Sequence, residues 1–274
     1  MTTPYWIKPL IRMAYHQRYF WSRLTRNRHL GPLVYRMLFE NDDMLYLPRD
    51  RVFEINEPAD AGGVRSMPVP SKVLEHFIRQ AGFLWMMDFC ICRESSGCSD
   101  YPKNMGCLFM GEAARHINPG FGRQVSMEEA LRHARRCREA GLVHLMGRNK
   151  LDALWLGTGP AQKLLTVCNC CPCCCLWRVL PEVDGRIGEK VSRMPGISVE
   201  VTDKCAGCGR CTRGICFVDA IRLRGEKAEI DRDLCRGCGR CAAACPNNAI
   251  EVRVNDPAFV ENTIERIASS VDVR

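Results

Sequence analysis

Nineteen cysteines in 274 residues constrain this chain more than any other feature, and they are not scattered. Eleven lie between Cys90 and Cys175 and eight between Cys205 and Cys245. Between the two groups, Pro181, Gly185, Gly188, Pro195 and Gly196 read as a linker over 181–196, with a boundary near residue 196. An odd count in a chain this long does not fit a small secreted disulfide scaffold. Lys8, Arg12 and Arg18 interrupt any early apolar run, so no secretory leader is expected. The longest stretch without a charged residue, Leu164 to Trp177, has 14 residues. A membrane-spanning helix needs roughly 20. The expected location is the cytoplasm, where thiols in such number serve metal or redox chemistry.

The second cysteine group is an internal repeat. Its first copy reads Cys205-Ala-Gly-Cys208-Gly-Arg-Cys211, then Cys216, then Asp219-Ala220-Ile221. Its second reads Cys235-Arg-Gly-Cys238-Gly-Arg-Cys241, then Cys245-Pro246, then Asn248-Ala249-Ile250. Cysteines three apart let one tight loop set three thiolates on a single iron–sulfur cube. Gly207, Gly209, Gly237 and Gly239 suit a loop that must wrap so closely. Short apolar runs at Ile197 to Val201, Ala220 to Leu223, Ala228 to Ile230 and Ala249 to Val254 predict small paired strands beneath the clusters.

These residues resemble the bacterial-type two-cluster ferredoxin module, over about 197–254. In that module the remote cysteine of each run ligates the other cluster. Carried over residue by residue, the resemblance implies one 4Fe–4S cluster on Cys205, Cys208, Cys211 and Cys245. It implies a second on Cys235, Cys238, Cys241 and Cys216. The competing reading, zinc on two four-cysteine sites, needs neither the third cysteine of each run nor the Cys245-Pro246 ending. One departure stands out: four residues, not three, separate Cys211 from Cys216, and Phe217 replaces the proline. The extra residue is expected to bulge without removing the ligand. The cluster loops carry Lys204, Arg210, Arg213, Arg236 and Arg240. Such charge raises a cluster's potential and points to a redox protein partner with an acidic docking face. Alternatively, these cations pair locally with Asp203, Asp231 and Asp233.

The first cysteine group follows no standard cluster spacing. Ser71 before the periodic Val73, Leu74, Phe77 and Ile78, with Gly82 after them, predicts a capped helix. Phe83 to Phe89 reads as a buried strand delivering Cys90-Ile-Cys92-Arg93. Ser126 and Glu129 form a capping box, and Gly141 ends the helix it opens. Lys163 to Val167 reads as a strand delivering Cys168-Asn-Cys170-Cys171-Pro-Cys173-Cys174-Cys175. Two strand ends would thus present thiols to one place, with Cys98 and Cys107 on the loop between them. On a helix or tight turn, Cys170, Cys173 and Cys174 would share one side and Cys171 and Cys175 another. The expected metal ligands are therefore Cys90, Cys92, Cys98, Cys107, Cys168, Cys170, Cys171, Cys173, Cys174 and Cys175, with a third iron–sulfur cluster or another metal. Redox-active thiols and structural cysteine are the competing readings. Cys137, on the capped helix away from both segments, reads as a small core hydrophobe. Arg93, His116 and His144 are the polar residues to watch for a catalytic role, with a satisfied structural role as the alternative for each.

Charge is equally uneven. Residues 1–39 hold seven Lys or Arg and no Asp or Glu, with eight aromatics from Tyr5 to Phe39. The rest of the chain is nearly neutral. This basic, aromatic arm predicts docking on a partner subunit or peripheral contact with a membrane surface. The alternative is a terminal helix folded onto its own domain. No nucleic-acid-binding motif is present, and no nucleic acid is expected.

The whole chain resembles a family of anaerobe iron–sulfur proteins in which a Cys-x-Cys-Arg segment and a Cys-Asn-Cys-Cys-x-Cys-Cys-Cys segment precede a two-cluster ferredoxin domain. Here those segments are Cys90 to Arg93 and Cys168 to Cys175, and Gly141-Leu142-Val143-His144 between them also resembles the family's. The resemblance supports a cofactor and names no substrate. The expected fold is α+β: an arm over 1–40, a cysteine-rich α/β domain over 41–180, the linker, a ferredoxin-like two-cluster module over 197–254 and a C-terminal helix over 255–274. The expected function is electron transfer, as a ferredoxin-type carrier or a subunit of a redox complex. The alternative is a reductase whose N-terminal metal site takes substrate and is fed by the ferredoxin clusters. Phosphate-loop, dinucleotide and zinc-protease motifs are lacking.

Overall fold

Strands buried on both faces build the centre of the molecule. A computed structural model describes residues 2–50 and 69–274. Three short helices come first: α1 (Lys8–His16), α2 (Arg18–Leu24) and α3 (Leu30–Leu38). The body then runs β1 (Asp43–Tyr46), α4 (Ser71–Gln80), β2 (Leu84–Met87), α5 (Ile91–Ser95) and β3 (Leu108–Met110). It continues with β4 (Gly122–Gln124), α6 (Met127–Glu139), β5 (Val143–Arg148), α7 (Lys150–Leu156) and β6 (Leu165–Cys170). After α8 (Gly185–Gly188) and β7 (Val191–Arg193), the last stretch holds β8 (Ile197–Val201), β9 (Ile221–Arg224) and β10 (Lys227–Ile230). It ends with α9 (Arg240–Ala244), β11 (Ile250–Val254) and α10 (Phe259–Ser270). Helices and mainly antiparallel strands without repeating βαβ units make this an α+β fold.

Among the described residues, seven strands form one sheet in the order β4-β2-β3-β6-β5-β1-β7. All neighbours are antiparallel except β1 and β7, where Met44 pairs with Val191. Along β6, Leu165 and Val167 join the core on one face, while Cys168 and Cys170 pack into the clusters on the other. The first face is covered by α4, α6 and α10. Val73, Leu74, Phe77 and Ile78 of α4 are almost fully buried there, each contributing about 1.5–3 kcal/mol. The same core continues without a break into Ile197, Val199, Ile221, Ile250 and Val252. The opposite face, which carries the thiols, is roofed by α1–α3.

The short strands of the last segment pair as β8 with β11 and β9 with β10. Ser126 caps α6, its hydroxyl accepting the Glu129 N–H at 3.2 Å, and Gly141 follows the helix at φ +78°. Three expectations need correction. Ser71 is the first residue inside α4 and not its cap; the Asp50 carboxylate accepts the Ser71 N–H instead, at 3.0 Å. The strand placed at Phe83–Phe89 stops at Met87, because Cys90 already caps α5. The stretch 181–196 is not a linker. Its prolines and glycines punctuate short elements, and Val191 in β7 completes the main sheet beside β1.

The N-terminal arm lies against its own body. The buried Tyr15 hydroxyl donates to the Cys174 carbonyl, Lys8 pairs with Glu94 at 3.0 Å, and Arg23 pairs with Glu182 at 2.9 Å. Its outward side remains apolar, with Trp6 70%, Phe20 60% and Met37 59% exposed.

Candidate metal centres

In the last segment each repeat makes a loop whose glycines adopt positive φ, followed by a short helix carrying the third cysteine. Gly207 shows why. At φ +63°, a Cβ there would lie 2.5 Å from the Glu226 carbonyl oxygen. Cys205, Cys208, Cys211 and Cys245 line one small cavity between the loop and β9–β11, with Leu223, Ala228 and Ile250 as its apolar walls. Cys216, Cys235, Cys238 and Cys241 form the second group: beyond burial, the neighbouring Cys238 helps to raise the pKa of the other three, and Cys216 and Cys235 add to this at Cys241. Backbone N–H groups point at sulfur in both. Ala228 donates to Cys205 at 3.4 Å, Ala249 to Cys245 at 3.3 Å and Ala220 to Cys216 at 3.3 Å. Asp219 and Asn248 hold matching left-handed turns after the remote cysteines. The extra residue before Cys216 is taken up around Gly214, at φ +67° with open space about it. Four thiols, apolar walls and N–H donors to sulfur fit an iron–sulfur cube at each group.

The two groups differ in burial. Cys208 is exposed, and N–H donors from Ala228 and Gly207 hold the Cys205 thiol below its ordinary pKa. Burial pushes Cys235 up to about 11 and Cys241 well above its ordinary value. Of the five loop cations, Lys204, Arg210 and Arg213 face solvent, but Arg236 and Arg240 turn inward. Local pairing with Asp203, Asp231 and Asp233 does not occur as expected. Asp203 pairs with Lys227, Asp231 accepts the Asp233 and Leu234 N–H groups, and Arg236 donates to the Asp233 and Leu234 carbonyls. Arg240 reaches into the thiol face and donates to the Cys170 carbonyl, leaving its Nε and Nη1 buried without a partner.

The N-terminal thiols fall into two sets and not one. Cys170 ends β6, and the chain then turns through Pro172 instead of forming a helix, which separates Cys170 from Cys173 and Cys174. Cys98, Cys171, Cys173 and Cys174 converge, all four sulfurs lying within 4.8 Å of one another. The Cys98–Cys173 and Cys173–Cys174 separations are 3.7 and 3.6 Å. A tetrahedral ion with metal–sulfur bonds of about 2.3 Å sets its ligands about 3.8 Å apart, so this quartet fits one metal ion. Cys137 is not remote from it: fully buried, it packs with Cys98, Cys171 and Cys174, and burial raises its thiol to about 12.

The other six, Cys90, Cys92, Cys107, Cys168, Cys170 and Cys175, line a cavity of about 420 Å³ beneath α1–α3, which Cys171 of the quartet also borders. Its roof is Ile11, Trp21, Val34, Leu38 and Phe39. Cys107 lies 3.7 Å from Cys168, and Cys170 lies 3.4 Å from Cys175, which also contacts the Tyr46 hydroxyl at 3.5 Å. Contact with Cys92 lowers Cys90 to about 7 and raises Cys92, and contact with Cys168 and Cys175 lowers Cys170. In each case neighbouring thiols favour one thiolate beside one thiol.

Arg93 ties the two cysteine segments together. Fully buried, it donates to the carbonyls of Pro102 at 2.8 Å, Asn169 at 2.6 Å and Met105. His144 is also buried; its Nδ1 lies 2.8 Å from Asn169 Oδ1, and burial lowers it to about 4. His116, at the end of a short 3-10 helix, is exposed. Sequence reading did not find Tyr46 or the inward role of Arg240. Both act across long chain separations that carry no local signal.

The family model described as 4Fe-4S binding domain matches residues 228–251. That span holds Cys235, Cys238, Cys241 and Cys245, the second repeat. The first repeat, with its longer spacing, lies outside the match. No curated protein and no solved structure matched the chain. Among the described residues no helix is long and apolar enough to cross a membrane. The C-terminal part of this chain carries a 4Fe–4S binding domain, and the protein is an iron–sulfur protein.

Proposed function

We propose that this chain is an electron-transfer protein with two 4Fe–4S clusters in residues 197–254, preceded by a cysteine-rich domain that holds further metal. One cluster takes Cys205, Cys208, Cys211 and Cys245, the other Cys216, Cys235, Cys238 and Cys241. The observation that carries the proposal is the matched pair of thiol groups, with N–H donors aimed at sulfur from equivalent positions Ala220 and Ala249. When bound, the clusters supply one-electron chemistry. The chain orients the thiolates, donates hydrogen bonds to them and leaves none of the inner group's thiols as exposed as Cys208. Cys98, Cys171, Cys173 and Cys174 hold one further metal ion.

The arrangement has a direction. Cys208 and the exposed Lys204, Arg210 and Arg213 mark where an acidic redox partner docks. The inner group abuts the N-terminal thiols. Phe217, next to Cys216, packs against Tyr46 with ring centroids 4.8 Å apart and planes tilted by 46°, and Tyr46 contacts Cys175. Anaerobic reduction followed by electron paramagnetic resonance tests the reading. It expects two interacting reduced clusters per chain, and a silent, zinc-containing protein refutes it.

A second reading, a reductase fed by these clusters, is favoured by the thiol-floored cavity. Its 420 Å³ falls in the range of small-molecule sites, about 300–1,000 Å³. The exposed apolar side of α1–α3, with the arm's basic residues, is proposed to contact a membrane surface peripherally, in the cytoplasm. Replacing Trp6 and Phe20 by serine should then reduce co-sedimentation with anionic lipid vesicles.

A further inference from the structure

The quartet accounts for four of the ten N-terminal candidate ligands and leaves six unexplained. Those six do not converge as the quartet does. They ring a cavity as contacting couples, Cys107 with Cys168, Cys170 with Cys175 and Cys90 with Cys92, contributed by α5, the strand ends and the turn after β6. A single ion draws its ligands to one point. Thiols spread around a cavity instead suit a group with several metal atoms, each taking its own thiolates.

Charge points the same way. Arg93 is buried against this space, beside the lining Arg18 and Asp152, and the buried Arg240 reaches its edge through the Cys170 carbonyl; neither Arg93 nor Arg240 joins an ion pair among the described residues. Arg93 meets only carbonyl oxygens, and Arg240 has one carbonyl and two unpartnered nitrogens. A buried cation without a counter-charge is strongly unfavourable. Thiolates carrying an anionic cluster supply that counter-charge. The roof of Ile11, Trp21, Val34, Leu38 and Phe39 is apolar, and the lower polarity beneath it strengthens a cluster's attraction to the buried arginines.

We propose that Cys90, Cys92, Cys107, Cys168, Cys170 and Cys175 form a second N-terminal centre that binds an anionic polynuclear iron–sulfur cluster, separate from the single-ion quartet. The inference rests on the iron–sulfur reading of the chain.

The test uses full-length protein, isolated anaerobically and loaded with iron and sulfide, with metals and acid-labile sulfide counted per chain. The parent should exceed the about eight irons and eight sulfides of two ferredoxin cubes. Changing Cys107→Ser with Cys168→Ser should remove this excess iron and sulfide together, and leave the ferredoxin irons and one sulfide-free metal ion. Changing Cys98→Ser with Cys173→Ser should remove that one ion and no sulfide. The proposal is overturned if both double variants lose the same metal, or if the first loses none. Should the first double variant also lose its ferredoxin irons, and so its fold, Cys90→Ala decides by the same count, since alanine fills a buried cysteine position with little strain. A parent with about eight irons and no more sinks this inference alone. A parent without sulfide sinks the iron–sulfur reading itself.

Discussion

Replacing Arg93 by methionine separates charge from packing at the junction of the two cysteine segments. Arg93 is 0% exposed and serves three backbone carbonyls, of Pro102, Asn169 and Met105. Methionine fills similar volume but leaves those acceptors buried and unpaired, at about 1–3 kcal/mol each before relaxation. It also strips a positive charge from the thiolates of Cys90, Cys171, Cys107 and Cys170, which raise the Arg93 pKa against the effect of burial. Breaking a buried charge interaction costs about 3–5 kcal/mol. For a chain of this size, that is a fall of roughly 10 °C in Tm. Anaerobic calorimetry with metal analysis reads both effects. The expected result is a lower Tm and loss of N-terminal metal with the ferredoxin irons kept. Arg93→Lys should recover part of the metal and little of the stability, because one ammonium cannot span three carbonyls as the planar guanidinium does. A methionine variant that melts within about 2 °C of the parent and keeps all its metal would refute the reasoning.

Other outcomes follow from single positions. Gly207→Ala, whose Cβ would meet the Glu226 carbonyl at 2.5 Å, should cost the outer cluster, seen as a loss of about four irons. Gly214→Ala, with open space around it, should cost about 1 kcal/mol and no iron. Burial lowers His144 to about 4 from 6.5, so between those pH values the unfolded chain binds more protons than the folded one. Stability from this residue is therefore full above about pH 6.5 and falls as pH drops toward 4, by up to about 3 kcal/mol. His144→Asn should flatten that part of the stability–pH curve in denaturant titrations, and an unchanged slope would count against it. Reversing Lys204, Arg210 and Arg213 to glutamate should slow reduction by a small acidic electron carrier about tenfold at low salt and far less at high salt. An effect independent of salt would place the docking face elsewhere.

Local chemistry was legible in the sequence, and long-range assembly was not. The cysteine repeat, its loop glycines and the Ser126 cap depend on residues within a few positions of one another, and spacing alone conveys them. The division of Cys168–Cys175 depends on where β6 ends. That is fixed by pairing of Val143 with Cys170, a contact no local pattern announces. The boundary expected at 181–196 failed because glycine and proline mark short elements as well as linkers, and Val191 finds its partner Met44 far back in the chain. Arg93 was visible as an unusual polar residue, yet its partners Pro102, Met105 and Asn169 come together only in the fold.

Mössbauer spectroscopy of full-length protein loaded with enriched iron, beside its Cys208→Ser and Cys238→Ser variants, decides whether residues 197–254 hold two cubes. Cys208 belongs to the outer thiol group and Cys238 to the inner one. Two clusters predict that each variant loses a different set of about four irons with 4Fe–4S parameters while keeping the other. One shared set lost in both variants, or a parent holding zinc and no sulfide, would contradict it.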